Sequence, residues 1–274
     1  MTILPLNPAR PLRYRSVFIS DTHLGFRGAR ADFLLEFLES MECETLYLVG
    51  DIIDIWEMRR RGLRWPESHN AVIQNILSRA RSGTRVVYIP GNHDEMMRDY
   101  AGMSIEGVEI RLRATHECAD GRQLLVLHGD EFDTVVQCSR LVAMLGSRIY
   151  AGLIRANHWV NKLRQALNRP YWSLAAHLKY RVKNAMQYIA NYEEALVHEA
   201  REAEVDGLVC GHIHHAELSD RDGILYCNDG DWVESCTALV ESDCGELSLI
   251  DWITLRKVLA QTGTLKSAEQ RYAA

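Results

Sequence analysis

Residues 16–25 read SVFISDTHLG: a short apolar run that ends on Asp21 and His23. Five residues are too few for a helix, and the β-branched and aromatic content marks a strand buried on both faces. The same pattern recurs along the chain. Thr45–Val49 (TLYLV) runs into Gly50-Asp51, and Arg85–Ile89 (RVVYI) into Pro90-Gly91-Asn92-His93. Gln123–Leu127 runs into His128-Gly129, and Gly207–Cys210 into Gly211-His212-Ile213-His214. Between the first runs lie helical stretches: Ala31–Met41, with Phe33, Leu34, Phe37, Leu38 and Met41 at helical spacing, and Asn70–Arg81, stopped by Gly83. Strands alternating with helices predict an α/β fold. In such folds the carboxyl ends of parallel strands share one edge, where ligands bind. Asp21, His23, Asp51, Asn92, His128, His212 and His214 are therefore expected along one edge.

Other runs complete the strand-rich body. Glu109–Cys118 and Gln123–Leu127 flank Asp120-Gly121 and read as a hairpin. Ile224–Cys227, Thr237–Val240 and Glu246–Trp252 read as late strands, and the tail from about Leu255 as a peripheral helix. His69, His116, His158, His177 and His198 stand alone and read as packed or surface residues.

The chain has 274 residues, 47% of them hydrophobic and 25% charged, enough for a sizeable core without staples. That composition excludes a disordered chain and a disulfide-dense miniprotein. No apolar run approaches the ~20 residues of a membrane span. Met1–Ser16 lacks the apolar segment of a secretory leader, so a cytoplasmic protein is expected. The seven cysteines form no CxxC pair and read as reduced, mostly buried thiols. The net charge is −6, but Thr134–Tyr192 holds nine Arg or Lys and no Asp or Glu. Helical periodicity flanks Pro170 in this stretch. Residues 134–195 are thus expected to form a helical cap inserted into a core of 1–133 and 196–274. The cap's basic residues would face an anionic ligand or surface.

Two carboxylates, one amide and four imidazoles are too many ligands for one ion. Two divalent ions about 3.5–4 Å apart, sharing a carboxylate, would use them all and clamp a phosphate. Imidazole mixed with carboxylate suits Mn, Fe or Zn, whereas an all-oxygen Mg site needs no such histidines.

The ordered blocks DTH (21–23), GDIID (50–54), GNHD (91–94), HG (128–129) and GHIH (211–214) resemble the calcineurin-like metallophosphoesterases. The resemblance implies a two-sheet αββα sandwich. It also implies a first ion on Asp21, His23 and His214, a second on Asn92, His128 and His212, and Asp51 as the bridge. His93 matches the family's catalytic histidine, which contacts the phosphoryl group and protonates the leaving oxygen. Asp54 matches the carboxylate that orients it, holding one tautomer and raising the imidazole pKa.

GDIIDIW (50–56), the insertion after HGD (128–130) and YCNDGDWVES (226–235) further resemble the UDP-2,3-diacylglucosamine diphosphatases of lipid A synthesis. That group cleaves a nucleotide-sugar diphosphate to UMP and a lipid phosphate. The resemblance implies a phosphorylated lipid-linked substrate; the ligand chemistry leads to an expectation of two Mn2+ ions, with Fe or Zn as alternatives, and the basic, aromatic cap suits peripheral contact with the inner membrane face. GNHD departs from the GNRD of that group's best-known members and keeps the general family form. Asp130, His215, Arg164, Arg169 and Lys179 are the expected substrate contacts, with Trp159, Tyr171 and Trp172 beside the acyl chains. Two alternatives stand beside this reading. One is a phosphodiesterase or phosphatase for soluble nucleotides, nucleic acid or phosphoprotein; the net charge of −6 weighs against nucleic acid. The other is a non-catalytic scaffold, against which the complete ligand set argues.

Overall fold

The computed structural model describes residues 11–61, 65–134 and 174–261. They fall into two compact units, one formed by Met1–Asp130 with Val197–Ala274 and the other by Glu131–Leu196.

The first unit is built on two mixed sheets. Strands β1 (Leu12–Ile19), β2 (Met41–Val49), β3 (Arg85–Ile89) and β5 (Val108–Ile110) run parallel. Strands β4 (Ser104–Ile105), β11 (Thr237–Glu241) and β12 (Leu247–Asp251) extend them antiparallel in the order β12-β11-β1-β2-β3-β5-β4. The second sheet has the order β6-β7-β8-β10-β9, from Ala114–Glu117, Gln123–Val126, Gly207–Cys210, Ile224–Asn228 and Glu217–Arg221 respectively. Here β7, β8 and β10 are the parallel members. The helices are α1 (Ala31–Ser40), α2 (Ile55–Arg61), α3 (Glu67–Arg81), α4 (Leu174–Glu202) and α5 (Trp252–Gln261).

Alternate residues of each central strand serve two different cores. Val17, Ile19, Leu46, Leu48, Val86 and Tyr88 join Leu34, Phe37, Leu38, Val72 and Ile76 of α1 and α3. Phe18, Tyr47, Val49, Val87 and Ile89 join Leu124, Val126, Val209 and Cys227 of the second sheet. Burial on both faces explains why these strands read as unbroken apolar runs.

Two expectations need correction. Glu109–Cys118 is not one strand: Arg111-Leu112-Arg113 crosses from the first sheet, where β5 pairs with β3, to the second, where β6 pairs with β7. The tail helix is not peripheral either. Asp251 accepts the Thr254 amide at 3.1 Å and caps α5, which starts at Trp252; Trp252 and Leu259 are buried in the helix-side core. The helix expected after Pro170 is α4, and the stretch before Leu174 lies outside the described residues. Six free cysteines are described, and Cys138 lies outside that range. Among the described residues no helix is long and apolar enough to cross a membrane.

A buried polar clamp joins the sheets at the end opposite the ligand edge. Glu241 of β11 accepts His116 Nε2 of β6 at 2.8 Å, Arg15 Nη1 of β1 at 2.9 Å and the Ala119 amide at 2.7 Å. Removing the carboxylate leaves the buried His116 nitrogen and the Ala119 amide without their acceptor, which costs about 1–3 kcal/mol. Glu241→Ala should lose about that much in urea denaturation. Burial pushes the Glu241 carboxyl up, but the His116 hydrogen bond and the Ala119 amide overcome it and hold it at about 2. An unfolded Glu titrates at about 4.3. The contribution is therefore complete above pH about 4.3 and lost as pH falls through the folded value. Glu241→Gln should be less stable than wild type at pH 7, and the two curves should converge as pH approaches 2.

Candidate metal centre

The carboxyl ends of five strands, three from one sheet and two from the other, bring the expected residues together. Asp21 and His23 follow β1, Asp51 follows β2, Asn92 and His93 follow β3, His128 follows β7, and His212 and His214 follow β8. The first two turns are laced by backbone hydrogen bonds: Asp21 N to Gly50 O, His23 N to Asp51 O and Leu24 N to Ile52 O, at 2.8–3.0 Å. Asp21, His23, Asp51, Asn92, His128 and His212 are all buried.

Glycines let these turns close. A Cβ at Gly91 would stand 2.3 Å from Asp51 Oδ1 and 2.6 Å from His128 Nε2. One at Gly211 would stand 2.5 Å from Asp21 Oδ2, and one at Gly50 would stand 2.2 Å from His128 Nδ1. The backbone is also held in a costly region. Of nine described non-glycine residues with positive φ, five are expected ligands: Asp21, His23, Asp51, His212 and His214. Such conformations cost about 1–3 kcal/mol each and persist where the surroundings over-determine them.

The side chains form two adjoining groups. In the first, Asp21 Oδ1 lies 3.0 Å from His214 Nε2 and 3.7 Å from His23 Nε2, and the two imidazole nitrogens are 3.4 Å apart. In the second, donor atoms of Asp51, His128 and His212 all lie within 4.8 Å of one another. Asp51 faces both groups, with Oδ1 at 3.6 Å from His128 Nε2 and Oδ2 at 3.9 Å from His23 Nε2. The outward nitrogens are tied down: His128 Nδ1 to Val49 O at 2.9 Å and His23 Nδ1 to Asp54 Oδ2 at 3.2 Å. Holding Nδ1 in this way aims Nε2 inward, as metal-ligating histidines are held. Asp21 Oδ1 is buried and accepts no hydrogen bond. These donors fit a divalent cation: carboxylate oxygens and imidazole nitrogens, the mixed set that suits Mn, Fe or Zn, converge in a buried space.

His93 sits beside both groups. Its Nδ1 meets Asp54 Oδ1 at 2.9 Å, its amide donates to Asp51 Oδ1 at 2.7 Å, and its ring lies against Trp56 with centroids 4.9 Å apart. Asp54 has two further tasks: it accepts the Glu57 amide at 2.8 Å, capping α2, and its other oxygen holds His23. Despite burial, His23 and His93 hold the Asp54 carboxyl well below the usual range.

Not every expected contact joins this cluster. Asp130 gives both oxygens to Arg98, at 2.7 and 2.8 Å. His215 is exposed and 4.0 Å from Glu217. Arg164 and Arg169 lie outside the described residues, and Lys179 falls on α4. One important residue carried no role in the sequence reading. Asp94, fully buried, accepts the amides of Gly91 (2.6 Å), Ile52 (2.7 Å) and Ile53 (3.2 Å) and the Tyr88 hydroxyl (2.6 Å). It thereby locks the Asp51 turn to the Asn92-His93 turn. Its only sequence signal is a carboxylate closing a glycine-led turn.

A family model described as calcineurin-like phosphoesterase matches residues 14–216. The chain belongs to this family. It is a metal-dependent phosphoester hydrolase. Among curated relatives of this phosphoesterase, a UDP-2,3-diacylglucosamine hydrolase of Neisseria gonorrhoeae is 24% identical over 248 residues, covering 83% of this chain and 94% of the relative. One from Porphyromonas gingivalis is 24% identical over 251 residues, covering 81% and 92%. Among solved structures, an archaeal phosphodiesterase aligns with 86% of this chain and 98% of its own at 13% identity, with a TM-score of 0.41.

Electrostatics gives this phosphoesterase a measurable property. Burial works against the charged form of His23 and His128, yet Asp21, Asp54 and Asp51 lift His23 to about 10, and Asp51 with Asp21 lifts His128 to about 10. Both imidazoles are therefore protonated at pH 7 before a metal arrives, and ligation must remove those protons. Mn2+ binding should release at least one proton per ion at pH 7, read as a dependence of the calorimetric enthalpy on buffer ionisation. Affinity should rise with pH. An enthalpy identical in all buffers would contradict this electrostatic account.

Proposed function

We propose that the chain hydrolyses the diphosphate of UDP-2,3-diacylglucosamine, or of a related lipid-linked nucleotide sugar, to UMP and a lipid phosphate. The observation that carries the two-ion chemistry is Asp51, whose two oxygens face an imidazole of each group. Asp21, His23 and His214 would hold one Mn2+, and Asn92, His128 and His212 the other. Ions held there would supply Lewis-acid polarisation of a phosphoryl oxygen and a lowered pKa for a nearby water. The chain's own residues do the rest. Asp54 fixes the His93 ring through Nδ1, which leaves Nε2 to contact the phosphoryl group and hand a proton to the leaving oxygen. The relatives from Neisseria gonorrhoeae and Porphyromonas gingivalis, which align over most of their length, support the lipid-linked substrate. The basic, aromatic stretch 134–195 would cap the substrate, taking its phosphates on Arg164, Arg169 and Lys179 and its acyl chains on Trp159, Tyr171 and Trp172. A lipid-linked substrate would bring a cytoplasmic protein into peripheral contact with the inner membrane face.

Three sets of variants test this. Asp51→Asn should lower turnover of a small chromogenic phosphodiester by orders of magnitude while far-UV dichroism stays that of wild type; near-normal turnover would refute the bridged pair. His93→Ala should retain metal and lose about 10²–10⁴-fold in turnover, less for substrates with good leaving groups. An equal loss for good and poor leaving groups would make His93 a positioning group rather than an acid. Changing Arg164, Arg169 and Lys179 together to Glu should weaken turnover of detergent-solubilised UDP-2,3-diacylglucosamine and spare the small diester. If both substrates suffer alike, the cap is a structural lid.

A further inference from the structure

Strand β10 runs parallel to β8 and ends on the same edge, yet the ligand assignment uses nothing from it. Its end carries Asn228-Asp229, followed by Gly230-Asp231-Trp232. Asn228, Asp229, Asp231 and Trp232 are completely or almost completely buried, as is Ser20. A buried polar segment has to spend its hydrogen bonds somewhere. This one spends them on the two turns that present Asp21 and the His212–His214 pair.

Asn228 Nδ2 donates to Gly211 O at 2.8 Å, one residue before His212, and its Oδ1 accepts the Gly230 amide at 3.0 Å. The Asp229 amide donates to Cys210 O at 3.1 Å. Ser20 Oγ, one residue before Asp21, donates to Asp229 Oδ1 at 2.5 Å and lies 3.1 Å from Gly230 O. The Trp232 amide donates to Asp21 O at 3.1 Å. Asp21 Oδ2 in turn accepts the His212 amide at 2.8 Å. The turn itself demands its glycine: Gly230 has a φ of 89°, and a Cβ there would stand 1.9 Å from Thr237 Oγ1. Asp229 Oδ2 is buried without a hydrogen-bond partner. Burial pushes this carboxyl well above the usual range, the Asp21 charge adding to the effect and the Ser20 hydrogen bond opposing it. An asparagine keeps the shape of this group and the oxygen that accepts the Ser20 hydroxyl.

We infer that Asn228 and Asp229 are positioning residues for the metal pair. They tie the Ser20-Asp21 turn of one sheet to the Gly211–His214 turn of the other, and so set the separation at which Asp21 meets His214. This rests on the two-ion reading of the site. The residues touch neither substrate nor the reacting atoms; they act through Asp21 and His212–His214. Loss of an outer-shell partner typically weakens metal affinity 10–100-fold.

The test uses the full chain with Co2+ as probe and three readouts: the dissociation constant by calorimetry, the visible absorption band of the bound ion, and the thermal midpoint in EDTA. Asn228→Ala and Asp229→Ala should each weaken Co2+ binding at least tenfold and shift the visible band. Asp229→Asn should restore both. Should Asp229→Ala fail to fold, Ser20→Ala removes the same tie with the carboxyl in place and should give the same weakening. Wild-type affinity and an unchanged band in the alanine variants would overturn the inference. So would a lowered thermal midpoint in EDTA with an unchanged band, since that is what a purely structural role produces. A wild-type chain that takes up no Co2+ overturns the two-ion reading and this inference together.

Discussion

The enforced closeness of like charges at one sheet edge governs this molecule. Asp21 and Asp51 are buried carboxylates that share His23 as a near neighbour. Two charges 4 Å apart interact by about 4 kcal/mol at an effective dielectric of 20. The repulsion is tolerated because imidazolium protons stand between the carboxylates, and a divalent ion can replace those protons at the same positions. Much of the local construction follows from this demand. The glycines thin the wall so that carboxylate and imidazole can approach, Asp94 cross-braces two turns, and Val49 O and Asp54 turn the rings inward.

Asp54 shows how economical the arrangement is. One oxygen holds His93 and begins α2, and the other holds His23. The helix-capping role and the histidine-orienting role belong to the same carboxylate. Helix α2 therefore starts on the residue that also fixes both imidazoles.

The fold and the ligand edge were legible because burial on both faces writes central strands as unbroken apolar runs, each ended by a polar side chain that had to have a reason. Legibility fails where partners are distant in sequence or where pattern and path diverge. Glu241 and Arg15 are 226 residues apart, and no local pattern announces their clamp. The stretch 109–118 keeps its apolar alternation while the backbone leaves one sheet for the other, so pattern alone joined two strands. Asn228, Asp229 and Asp94 carry no role of their own in the sequence, because a polar residue at a turn looks the same whether water or backbone satisfies it. Asp130 read as available for a sugar, and the pair with Arg98 depends on a contact that sequence does not display.

The left-handed turns decide which substitutions can be interpreted. Asparagine and aspartate visit that backbone region at less cost than alanine does, and β-branched residues hardly at all. At Asp21 and Asp51 an alanine would therefore remove a proposed ligand and also relax the loop that offers it, and any lost activity would confound the two. Asparagine removes the charge and keeps the loop. The same limit bears on redesign: a ligand set for another metal has to be drawn from side chains the turns accept, so the backbone screens candidate ligands before coordination chemistry does.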